Sequence, residues 1–104
     1  METSDLIEQL IELGYQSYKR QNKNTIEWQK LQRHEPVIIE GQEFTCWREY
    51  VVYRTCEYIK DELPEAEVVC NLDGNNSNIE LKIDDNEEIK INMLLKNFFK
   101  TLSI

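Results

Sequence analysis

Glycine, proline and histidine are scarce in this chain: 104 residues contain 3 Gly, 2 Pro and 1 His. The glycines stand far apart, at positions 14, 41 and 74, so neither a phosphate-cradling P-loop nor a dinucleotide fingerprint can be assembled from them. The single histidine, His34, lies in the loop-like stretch Gln32-Arg33-His34-Glu35-Pro36. A cysteine nucleophile needs a base close by in the fold, and no local signature surrounds Cys46, Cys56 or Cys70. A zinc site made of these cysteines and His34 would lack the closely spaced ligand pairs that zinc sites use. The default role of the cysteines is that of small buried hydrophobes. No catalytic residue, cofactor or metal ligand is expected, and the chain reads as a protein that is not an enzyme.

Long apolar runs are missing as well. Val37-Ile38-Ile39 and Met93-Leu94-Leu95 are typical of what is there, far short of the roughly 20 residues a membrane span requires. The start, Met1-Glu2-Thr3-Ser4-Asp5, is acidic and carries no basic n-region, so no secretory signal is expected. Three cysteines make an odd count without close pairs, which disfavours a secreted disulfide framework. The expectation is a cytoplasmic protein with free thiols and no contact with a membrane.

What the chain does have is a foldable composition, with 40% hydrophobic, 10% aromatic and 31% charged residues. At this length a core forms without disulfides or metal, because folding buries roughly 60–70% of the unfolded chain's surface. Residues 4–20 carry Leu6, Ile7, Leu10, Ile11, Leu13 and Gly14 near one helical face, with Ser4 or Asp5 as cap. The stretch Thr25-Ile26-Glu27-Trp28-Gln29-Lys30-Leu31 alternates weakly and reads as strand. Pro36-Val37-Ile38-Ile39-Glu40-Gly41 reads as a short strand closed by a glycine turn. From Phe44 to Leu63 the period becomes helical, with Phe44, Trp47, Val51, Thr55, Tyr58 and Ile59 on one side and Pro64 as the stop.

Two strands over residues 67–72 and 78–83 flank the turn-forming Asp73-Gly74-Asn75-Asn76-Ser77 and predict a hairpin. Glu88-Ile89-Lys90-Ile91 reads as a third strand before a last helix. The alternative is one longer helix capped by Asp85 with Glu88. Asp73, Asn75, Ser77 and Asp84 are a poor match to a calcium loop, since Asn78 stands where glycine is required. Together these elements predict one α+β domain over residues 1–104, with a small antiparallel sheet of about three to five strands packed on about three helices. From the central helix onward the order is similar to that of the double-stranded RNA binding domain. That family presents lysines where its last helix begins, whereas this chain has Asp84-Asp85-Asn86-Glu87-Glu88, so RNA binding is disfavoured.

Charge is distributed unevenly. The net charge is −8, but residues 57–88 hold eleven acids against Lys60 and Lys82, a net −9, while the remaining residues come to +1. Such a segment repels nucleic acid, whose binding depends on Lys and Arg displacing phosphate counterions. It attracts a basic protein surface instead. On the central helix Tyr50, Tyr53, Glu57 and Asp61 fall opposite the Phe44 and Val51 side, where tyrosines supply contact area with a wettable hydroxyl. The expected partner-binding set is therefore Tyr50, Tyr53, Glu57, Asp61, Asp84, Asp85, Glu87 and Glu88. The implied function is a small acidic inhibitor that caps a basic, nucleic-acid-binding surface of another protein, as phage or mobile-element inhibitors and nuclease immunity proteins do. The alternative is a self-associating or chaperone-like subunit with the central aromatic helix as its homodimer interface.

Overall fold

The structure is a computed structural model, and it describes residues 3–64, 66–82, 89, 91–93, 96 and 97. The chain is α+β, in the order α1 (Thr3–Asn22), α2 (Ile26–Gln32), β1 (Val37–Ile39), β2 (Gln42–Phe44), α3 (Trp47–Glu62), β3 (Glu67–Asn71) and β4 (Asn78–Lys82). Ile89, residues 91–93, Lys96 and Asn97 are helical too.

In α1 the apolar residues recur at helical spacing, and Leu6, Ile7, Leu10 and Ile11 are all buried. They pack on α3, whose Val51, Val52, Cys56 and Ile59 are completely buried. The two helices approach closely at Gly14, where even a Cβ would stand 3.3 Å from the Thr55 hydroxyl. Leu31, Val37, Phe44 and Ile79 close the same core from α2, the first hairpin and β4.

The sheet differs from the expected one. Four strands are present among the described residues, but as two separate antiparallel pairs, β1 with β2 and β3 with β4, not as one sheet. The expected hairpin at residues 67–83 is present, with Val68 opposite Leu81 and Cys70 opposite Ile79 on the core side. Its connection is pinned by the buried Ser77, whose hydroxyl accepts from Asp73 N at 2.8 Å and donates to the Gly74 carbonyl at 2.7 Å.

Three local expectations are corrected. Residues 25–31 are helical, not extended, because Thr25 is an N-cap: its hydroxyl accepts from Trp28 N at 3.2 Å and donates to the Asn22 carbonyl at 2.7 Å. Trp28 and Leu31, three apart, are both buried, whereas alternation would have paired Trp28 with Ile26, which is 67% exposed. Phe44 ends a strand instead of opening the central helix, since Glu40 and Gly41 form a two-residue turn that folds β2 back along β1 and sets Phe44 opposite Val37. Within the expected strand at residues 88–91 the described Ile89 and Ile91 are helical, while the cap expected of the alternative, Asp85 with Glu88, lies outside the described residues. Ile91 is 5% exposed and Ile89 73%, opposite environments that two residues on one strand face could not have.

Candidate functional site

The amino end of α3 gathers the loops around it. Glu49, in its first turn, accepts from Thr45 N at 2.6 Å, Thr45 Oγ1 at 2.7 Å and Gly74 N at 2.9 Å. Burial alone would raise this carboxyl, but the bonds from Gly74 and Thr45 outweigh it and hold Glu49 below its ordinary range. The neighbouring Arg48 donates through Nε to the Ser77 carbonyl at 2.9 Å and through its two terminal nitrogens to Glu8 at 2.8 and 3.3 Å. Helix α3 is thereby tied at once to α1 and to the β3–β4 turn.

One turn further on, Tyr50 enters a cluster of rings. It meets Phe44 at 5.5 Å, Tyr18 at 5.7 Å and Trp28 at 6.4 Å between centroids, each edge to face. Tyr53 meets Phe44 in the same way at 5.4 Å. Tyr15 extends the cluster between Trp28 and Trp47. Burial pushes the Tyr50 phenol up, against the opposing pull of the Arg54 guanidinium. Both tyrosines are partly buried and carry packing within the chain.

Beside Tyr50 a pocket of about 340 Å³ opens between α2 and β1. Trp28, Leu31 and Tyr50 form apolar lining, Ile38 and Ile39 line it from β1, and Glu27 and Glu40 carry its acidity. Ile38 is 72% exposed. Glu40 holds a left-handed backbone conformation, φ 53, next to Gly41 at φ 80. Its carboxylate makes a long 3.8 Å pair with Arg54, whose cation lies 5.9 Å from the Tyr18 ring and whose Nε is buried without a hydrogen-bond partner.

The residues singled out from the sequence divide into three groups. Tyr50 and Tyr53 stand at the aromatic cluster. Glu57 and Asp61 lie further along α3, with Glu57 3.7 Å from Lys60. Asp84, Asp85, Glu87 and Glu88 lie outside the described residues. The pocket residues Glu27, Trp28 and Glu40 were not singled out. Reading residues 25–31 as strand hid the first two, and the Thr25 cap three residues before Trp28 was the signal available. Glu40 was visible only as the residue before a turn glycine.

The cysteines form a pair and a singleton. Cys56 on α3 and Cys70 on β3 interact through their thiols: the hydrogen bond to Cys70, reinforced by burial, pushes Cys56 far up, and the same bond lowers Cys70 against its own burial. Cys46 is fully buried just before α3. All three are free thiols. His34 sits in a turn at φ 60, exposed. Among the described residues no three His, Cys, Asp or Glu side chains converge on a position that could hold a metal ion. Nor, among them, is any helix long and apolar enough to cross a membrane. No protein-family model, curated protein or solved structure matches the chain significantly.

Proposed function

We propose that this protein acts by binding, as a stoichiometric cytoplasmic inhibitor that covers a basic, nucleic-acid-contacting surface of another protein. Phage or mobile-element inhibitors and nuclease immunity proteins work on this principle. The observation that carries the reading is the concentration of net charge −9 in residues 57–88 of a chain whose total is −8. The fold adds to it. Helix α3 packs on the β3–β4 hairpin, and Asp61, Glu62, Glu67, Asp73 and Glu80 are all exposed, Asp61 and Glu62 at the carboxyl end of the helix and Asp73 at the turn beside its amino end. Both bases of the segment are already engaged, Lys60 with Glu57 at 3.7 Å and Lys82 with Glu67 at 3.8 Å. A field of one sign steers a basic partner in and accelerates encounter, an effect that salt screens.

In this reading the acids govern association and the ring-bearing surface at Tyr50 and Tyr53 governs dissociation. Reversing Asp84, Asp85, Glu87 and Glu88 to lysine slows association by at least about tenfold at low salt. Tyr50→Phe with Tyr53→Phe keeps the ring packing and speeds dissociation. Stopped-flow mixing with the captured partner separates the two. An unchanged association rate in the folded reversal variant reduces the acidic segment to a solubilising surface and ends the proposal.

A further inference from the structure

The pocket beside Tyr50 lies outside the acidic segment, yet its chemistry has the same sign. We infer that it is a seat for one cationic side chain, an arginine or lysine, projecting from the basic partner. The inference rests on the reading that the partner is a basic protein, and adds where a single residue of that partner is held.

Each part of such a side chain has a counterpart in the pocket. A long aliphatic stem needs an apolar wall, which Ile38 and Ile39 supply. A cationic head is favoured beside an aromatic ring, and the half-buried Tyr50 lines the same space, with the buried Trp28 at its base. A guanidinium or ammonium needs carboxylates, and Glu27 and Glu40 face it from α2 and from the β1–β2 turn. Lys and Arg are absent from the residues lining the pocket. Arg54 stands 3.8 Å from Glu40, a long pair that leaves a carboxylate whose side chain is 71% exposed. A volume of about 340 Å³ is at the low end for small-molecule sites and suits one side chain better than a nucleotide.

Glu40 carries a second mark. A two-residue turn with positive φ at both positions is best made by Asn-Gly or Asp-Gly, and here the first place is held by a glutamate at φ 53. The longer side chain takes the carboxylate to the pocket at a cost in backbone strain. Strain of this kind gathers where a side chain is needed for contact.

The test titrates the isotope-labelled full chain with a peptide of alternating arginine and glycine, and with the same peptide carrying citrulline for arginine. Binding of the arginine peptide alone, with shifts at the Trp28 indole N–H and the amides of Ile38, Ile39 and Tyr50, is the expected result. Glu27→Gln with Glu40→Gln, both exposed positions, weakens it by about tenfold and abolishes those shifts. Equal pocket shifts from the citrulline peptide overturn the inference, because charge is then irrelevant. Salt-sensitive binding with shifts confined to residues 57–82 overturns it while leaving the basic-partner reading intact. No binding of either peptide at low salt removes both.

Discussion

Replacing Glu40 by asparagine should make the protein more stable. At φ 53 the Glu40 Cβ crowds the following carbonyl, a conformation that costs roughly 1–2 kcal/mol for most residues and less for asparagine. Asparagine therefore recovers about 1 kcal/mol. Against that stands the lost pair with Arg54, which is long at 3.8 Å and exposed at both ends, 41% and 71%. Pairs of that kind contribute about 0–1 kcal/mol, with the small end appropriate here. The net gain is about 0.5–1 kcal/mol, or a Tm rise of a few degrees at the roughly 4–8 °C per kcal/mol of a domain this size. Glu40→Gln is the control, since it loses the charge and the pair but keeps the strained backbone, and it should be neutral or slightly destabilising. Thermal unfolding followed by circular dichroism reads both. The reasoning is refuted if Asn and Gln give the same Tm, for then the left-handed backbone at position 40 carries no strain.

Arg48→Met should cost about 2 kcal/mol in urea unfolding, because it leaves the carbonyl of buried Ser77 without its charged donor. Glu8→Gln, touching only the exposed half of the same contact, should cost under about 1 kcal/mol. Glu49, held below its unfolded value near 4.5, contributes stability that is complete above that pH and is lost as pH falls through the folded value. Glu49→Gln should accordingly flatten the acid limb of a stability-versus-pH curve below about pH 5, and an unchanged limb counts against the three-bond arrangement. In native protein Cys70 should react with iodoacetamide well before the fully buried Cys46 and Cys56. Peptide mass mapping after brief labelling decides it, and comparable labelling of Cys46 contradicts the burial.

Where sequence and structure agree, the signal was periodic and long. Helix α1 had four buried positions at 3.6-residue spacing, and the β3–β4 hairpin had two alternating runs around a turn-forming five-residue stretch. Misreadings fell on short segments, where period is a weak guide. Seven residues at 26–32 hold too few apolar positions to separate helix from strand, so the Thr25 cap settled the matter. The first hairpin uses Glu-Gly instead of a favoured turn pair, which left β2 invisible and gave Phe44 to the helix. Tyr50 and Tyr53 were set opposite Phe44 on the helical wheel, yet both pack edge to face against it, because Phe44 belongs to β2 and not to the helix. Their embedding among Phe44, Tyr18 and Trp28 depends on how β2, α1 and α2 fold over them, and helical spacing on α3 says nothing of that. Eight of the nine residues lining the pocket lie within positions 22–40, and reading residues 25–31 as strand hid how α2 and β1 face one another, with Tyr50 joining from α3.

The central claim, that the acidic segment exists to engage a basic protein, is tested most directly by affinity capture from lysate on the immobilised full chain, with mass spectrometry at low and high salt. The account predicts a partner of strongly basic surface, enriched for nucleic-acid-binding proteins, that is retained at low salt and released as ionic strength rises. Recovery of only acidic or neutral partners, or retention indifferent to salt, would contradict it.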